Sequence, residues 1–161
     1  MALVTSAENF STSTTIPCTL AGLANAAARE SAIVDNSTNL YDDAMFTLKF
    51  TLAGGSMASD KAVYVYFHGS EDGVVYTEPM TAADAGITLT TANNLTLGMV
   101  ISCVSNTTGA YVKTLGSVAQ MFGGVLPRKW GFIVQNQAGP AFNGTETNFQ
   151  KSYTGVRASA A

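Results

Sequence analysis

Three features of this sequence predict an all-β fold: an antiparallel β-sandwich of jelly-roll type with an extended N-terminal arm. Apolar and polar residues alternate at period two in segment after segment, as in strands with one face buried. Turn residues (Gly, Asn, Asp, Ser, Pro) punctuate the chain roughly every ten residues. No stretch holds the 3.6-residue period of an amphipathic helix. About seven to nine strands at that spacing suit two packed sheets. The chain has 161 residues, enough for one sandwich domain over 29–161 and an arm over 1–28.

The arm is rich in Ser, Thr and Ala, with Leu3, Val4 and Ile16 as isolated apolar points. No period holds there, although Leu20 to Arg29 has the Ala and Leu content for a short helical turn. With so little apolar content, the arm is expected to order by docking on a neighbour, with Leu3, Val4 and Ile16 at the interface. A short strand from Ser31 to Asp35 and a turn over Asn36 to Asn39 follow. Ala44 to Leu52 alternates cleanly and places Phe46, Leu48, Phe50 and Leu52 on the core face. Lys61 to His68 turns Val63, Val65 and Phe67 inward and sets Tyr64, Tyr66 and His68 on the opposite, interface face. Asp72-Gly73 marks a hairpin-type turn leading into Val74 to Glu78.

Beyond a loop with a short strand at Ile87 to Thr90, Leu95 to Val104 is expected to put Leu95, Leu97, Met99, Ile101 and Cys103 on one face. Tyr111 to Val118 is the next strand. It feeds Phe122-Gly123-Gly124, a bend, and then Leu126-Pro127, which enforces an extended approach. From Lys129 to Gln135, Trp130, Phe132 and Val134 share a face, and Trp130 and Phe132 are assigned to the core. Asn148 to Arg157 is the last strand.

Composition narrows the function. Charged residues are only 12% of the chain, about half the usual share, while 47% are hydrophobic. A surface this weakly charged suits a subunit covered by neighbours. The net charge is −3 and the basic residues are scattered apart from Arg128-Lys129, which argues against a nucleic-acid partner. No apolar run approaches a membrane span, and the N-terminus lacks the basic leader and apolar core of a standard signal peptide. The sequons at Asn9, Asn36, Asn94, Asn106 and Asn143 therefore read as loop sequence.

Catalytic and metal chemistry have little to stand on. His68 is the sole histidine and has no G-x-S-x-G context. Asp42-Asp43 and Glu71-Asp72 read as turn carboxylates, and no Gly-rich loop precedes a helix. No catalytic residue, cofactor or metal ligand is expected. Cys18 and Cys103 each lie in apolar stretches and are expected as buried, reduced thiols. The Tyr64, Tyr66, His68 stripe suits a subunit interface better than a sugar platform.

Two segments carry a resemblance. Val34-Asp35-Asn36-Ser37-Thr38-Asn39-Leu40-Tyr41-Asp42-Asp43-Ala44 resembles the DNSTNLY-x-DA signature that opens a group of small virion proteins of tailed bacteriophages. Phe122-Gly123-Gly124-Val125-Leu126-Pro127-Arg128-Lys129-Trp130-Gly131, with Val134-Gln135-Asn136-Gln137-Ala138-Gly139, is similar to that group's FGG-x-LP-x-x-WG … V-x-NQ-x-G stretch. The resemblance runs from about residue 30 to 157 and leaves the arm outside. It implies a non-enzymatic β-sandwich virion protein, read here as a capsid decoration or cement protein. Such a protein would be assembled in the host cytoplasm and seated on the outer head surface as a homo-oligomer, a trimer, bound to the major capsid protein. A tail or baseplate component of the same fold and a carbohydrate-binding host-attachment module are the alternatives.

Overall fold

The structure, a computed structural model, describes residues 6–77, 80–104 and 109–160. Its strands are β1 (Ser6–Phe10), β2 (Thr14–Thr15), β3 (Ala28–Glu30), β4 (Val34–Asp35), β5 (Asp43–Thr51) and β6 (Ala62–Ser70). There follow β7 (Ala85–Ile87), β8 (Thr96–Ser102), β9 (Ala110–Leu115), β10 (Lys129–Gln137) and β11 (Gln150–Ala160). Short 3₁₀ turns at Ala92–Asn94, Ala119–Phe122 and Glu146–Asn148 are the helical elements among the described residues. One sheet runs β1-β11-β5-β9, with β2 also on β11; the other runs β7-β3-β10-β6-β8, with β4 also on β10. Every strand pairing is antiparallel. The chain is an all-β sandwich.

The alternation seen in sequence fills the space between the sheets. Phe46, Leu48 and Phe50 from one sheet meet Val63, Val65, Phe67, Trp130, Phe132 and Val134 from the other, all buried. Ring centroids lie 4.7 Å apart for Phe46–Phe132, 5.4 Å for Phe46–Phe67 and 5.5 Å for Trp130–Tyr153. Such pairs add about 0.5–1.5 kcal/mol each beyond area burial. Ile133 points the other way, into a smaller cluster with Ala28 and Leu95 on the outer face of the second sheet.

Several expectations need correction. Ile16 is 1% exposed and, with Cys18 and Leu20, lies in this chain's own core. The expected arm therefore gives way to core by Ile16. Thr19 binds Asp84, and the Leu20 and Ala21 amides donate to one Glu146 oxygen at 3.0 and 2.8 Å. Leu20 to Arg29 forms turns and the start of β3 in place of a helical turn. Val74 to Thr77 forms no strand, the strand expected near Ile87 sits at Ala85–Ile87, and the expected Ser31 to Asp35 strand is reduced to Val34–Asp35.

The face of β8 also changes along its length. Val65 pairs with Met99 but Tyr66 pairs with Leu97, so Gly98 is an extra residue in the ladder. A Cβ on Gly98 would lie 2.5 Å from the Phe67 ring, which explains the glycine. The bulge inverts the facing: Met99, Ile101 and Cys103 enter the inter-sheet core, Leu95 joins the outer cluster, and Leu97 is 47% exposed. Opposite, β9 sets the exposed Lys113 in register with buried Leu48, so this edge strand carries a solvated charge along its length. A bulge on one edge and such a lysine on the other both discourage strand addition from another chain.

Cys18 and Cys103 are free and buried. Burial pushes their thiols up to about 12 and about 11. Both are expected to resist iodoacetamide in the native protein and to react fully in denaturant, as counted by mass spectrometry without reductant. A Cys18–Cys103 bridge, or rapid native labelling, would contradict this.

Candidate functional site

The residues assigned to an interface do not form one surface. Leu3 and Val4 lie outside the described residues, and Ile16 is internal. Tyr64 and Tyr66 do share the outer face of the second sheet, half-buried, with their rings stacked at a 6.4 Å centroid separation. Burial raises the Tyr66 hydroxyl's pKa, and the hydroxyl donates to the Gln135 side chain at 3.4 Å.

His68 belongs to that face by parity but is only 2% exposed, which corrects its assignment to an interface. Tyr76, from the segment after β6, meets its ring edge-on at 6.0 Å, and a Cβ on Gly131 would approach its Nε2 to 2.7 Å. Neither ring nitrogen has a hydrogen bond among the described residues. Burial lowers its pKa to about 4, so the imidazole is neutral. Period-two alternation carries no sign that a loop closes over this position.

The two quoted signatures make turns and packing contacts. The Asn36 side chain closes a loop on Tyr41, accepting from its amide at 2.8 Å and donating to its carbonyl at 2.9 Å. Tyr41 packs edge-on to Tyr153, and the Arg157 guanidinium lies 5.5 Å from the Tyr41 ring centre. Asp43 accepts from the amides of Ala44 and Ala119, tying β5 to the turn that leads into the second signature. There, Gly123 and Gly124 adopt φ of 76° and 98°, and Leu126 is buried. These are fold-building contacts.

Two surfaces remain as candidates. The first is a terminal ribbon. β11 pairs with β5 only from Gln150 to Val156, whereas its last four residues pair with Ser6 to Asn9 of β1. Residues 7–10 and 157–158 are exposed, and Phe10 is 57% exposed. Asp42 steadies the root of the ribbon by accepting from the Ala158 amide at 2.8 Å.

The second is a cleft of about 420 Å³ at one end of the sandwich. Its floor is the end of β6, and its walls come from the 71–77 loop, the start of β8 and the 121–127 segment. Gly69 admits Pro127 and Phe122 against the floor: a Cβ there would meet them at 2.7 and 3.1 Å. Asp72 fixes the loop by accepting from the Val74 and Val75 amides at 2.8 and 2.9 Å and from the Ser70 hydroxyl at 2.9 Å. Those hydrogen bonds, the two amides first, lower its pKa to about 2. The held loop presents Val74 and Val75 to solvent, 80% and 71% exposed. Sequence reading missed this cleft because three stretches far apart in the chain, 67–77, 94–96 and 121–127, build it, and no local pattern marks their meeting.

Among the described residues no three His, Cys, Asp or Glu side chains converge as a metal site, and no helix is long and apolar enough to cross a membrane. No protein-family model matches the chain, and no curated protein matches it.

Proposed function

We propose that this chain is a structural subunit of a tailed-bacteriophage virion, a decoration or cement protein that binds the major capsid protein on the outer head surface as a homotrimer. It acts by burying surface against its neighbours and carries out no reaction. The terminal ribbon is the observation that supports this reading most directly. An isolated two-stranded ribbon is marginal in water, because it lacks a third strand or a packed face. Here the side chains of residues 7–10 and 157–158 are exposed, so a covering subunit would stabilise what the sandwich leaves bare. The low charged fraction, 12%, fits a surface meant to be covered. The two motifs that resemble small phage virion proteins supply the choice of assembly.

Removing residues 1–15 deletes β1 and β2 and spares the core from Ile16 onward. That variant is expected to keep a cooperative melt yet bind undecorated heads at least about tenfold more weakly, a loss of roughly 1.4 kcal/mol. Removing residues 1–28 also takes Ile16, Cys18 and Leu20, and should abolish folding, since three such side chains contribute roughly 5 kcal/mol or more. Sedimentation with purified heads, and the position of the protein in intact particles, test the reading. Unchanged head binding without residues 1–15, or recovery with tails only, would overturn it.

A further inference from the structure

We propose that the cleft at the end of the sandwich is a binding site for a neutral saccharide. A pyranose would offer hydroxyls to Asn94, Thr96 and Thr77 and its C–H face to Phe122 and Met121. This activity is separate from assembly through the terminal ribbon. The volume of about 420 Å³ falls within the range of small-ligand sites, roughly 300–1,000 Å³.

The chemistry of the lining selects the ligand class. The side chains of Thr77, Asn94 and Thr96 line the cleft and make no hydrogen bond among the described residues. An amide and two hydroxyls donate and accept in both directions, which matches hydroxyl groups and not a fixed charge. Glu71 adds one more acceptor, and no Lys or Arg is among the described residues that line the cleft, so none of them favours phosphate or carboxylate. Phe122, Met121, Val125 and Pro127 supply apolar wall, which a polar solute without a C–H face would leave wet. The His68 ring nitrogens are buried and take no part.

The site is also held in shape before any ligand arrives. The Asp72 hydrogen bonds fix one rim, and the contact of Pro127 and Phe122 over Gly69 fixes the opposite wall. Little ordering is then required on binding, which favours weak ligands such as single sugars.

The test uses the full chain and the methyl pyranosides of glucose, galactose, mannose and N-acetylglucosamine. Saturation-transfer NMR reads binding, and amide shift mapping on labelled protein reads its location. At least one sugar is expected to bind with a Kd on the order of 1 mM and to shift amides at Thr96, Gly98 and Val125. Asn94→Ala and the isosteric Thr96→Val, both at exposed positions, should each weaken it about tenfold with an unchanged melting temperature. Val112→Ala, on the β9 edge, should change nothing. Absence of saturable binding by all four sugars at roughly 20 mM would overturn the proposal. So would binding that survives both cleft substitutions, or preferential shifts of the same amides by inorganic phosphate.

Discussion

Trp130→Ala is expected to lower stability by about 3–5 kcal/mol, through lost transfer free energy and the cavity left behind. The ring is fully buried between the sheets and touches Phe67 and Tyr153 at centroid distances of 6.3 and 5.5 Å. Few neighbours can collapse into the gap, because it lies beneath strands held on both sides: β10 pairs with β6 along nine residues and with β3 and β4 on its other edge. A domain of this size has only about 5–15 kcal/mol in total, so much of the protein should be insoluble or melt far lower. The indole nitrogen has no hydrogen-bond partner among the described residues, so Trp130→Phe should be milder than the alanine change. Urea titration of both variants, beside Val112→Ala as an exposed control, measures the difference. A Trp130→Ala protein that melts like the parent and has lost only its binding would move the indole from the core to a contact surface.

Acidification should weaken the fold between about pH 6.5 and 4 because of His68. Its pKa is about 4 in the folded chain against 6.5 for an unperturbed histidine, and the cause is burial. Between those values the unfolded chain holds a proton that the folded chain does not, so stability falls as pH falls through this window. Above it the histidine is neutral in both states and adds no pH dependence. A shift of that size corresponds to about 3 kcal/mol. The Asp72 carboxyl, lowered from 3.8 to about 2, loses its contribution only below pH 4, so the two effects separate. His68→Phe removes two unsatisfied nitrogens and the titration together. Urea midpoints for this variant should stay nearly flat from pH 6.5 to 4 while the parent's decline. An equal decline in both proteins would rule out His68 as the source.

The strands that carry the inter-sheet core were legible in the sequence because facing along a strand is a local property. Phe46, Leu48 and Phe50, and likewise Trp130, Phe132 and Val134, alternate without interruption, and all six are fully buried. Turn residues marked where these strands stop, and the absence of a helical period excluded long helices. The arm was harder to read, since Ile16, Cys18 and Leu20 are too sparse for a run and are buried by β-strands from far along the chain. Leu97 could not be placed, because the Gly98 bulge exists only in relation to the register of β6. His68 shows the same limit in reverse. Its parity set it outward with Tyr64 and Tyr66, and a loop that packs Tyr76 against it made it internal. The end cleft is wholly a tertiary object, built from the end of β6, the start of β8 and two loops. Period and turn chemistry thus determined the strands and their core faces in this protein. Pairing register and loop cover decided the edges, the covered histidine and the cleft, because those depend on contacts between residues that are distant in the chain.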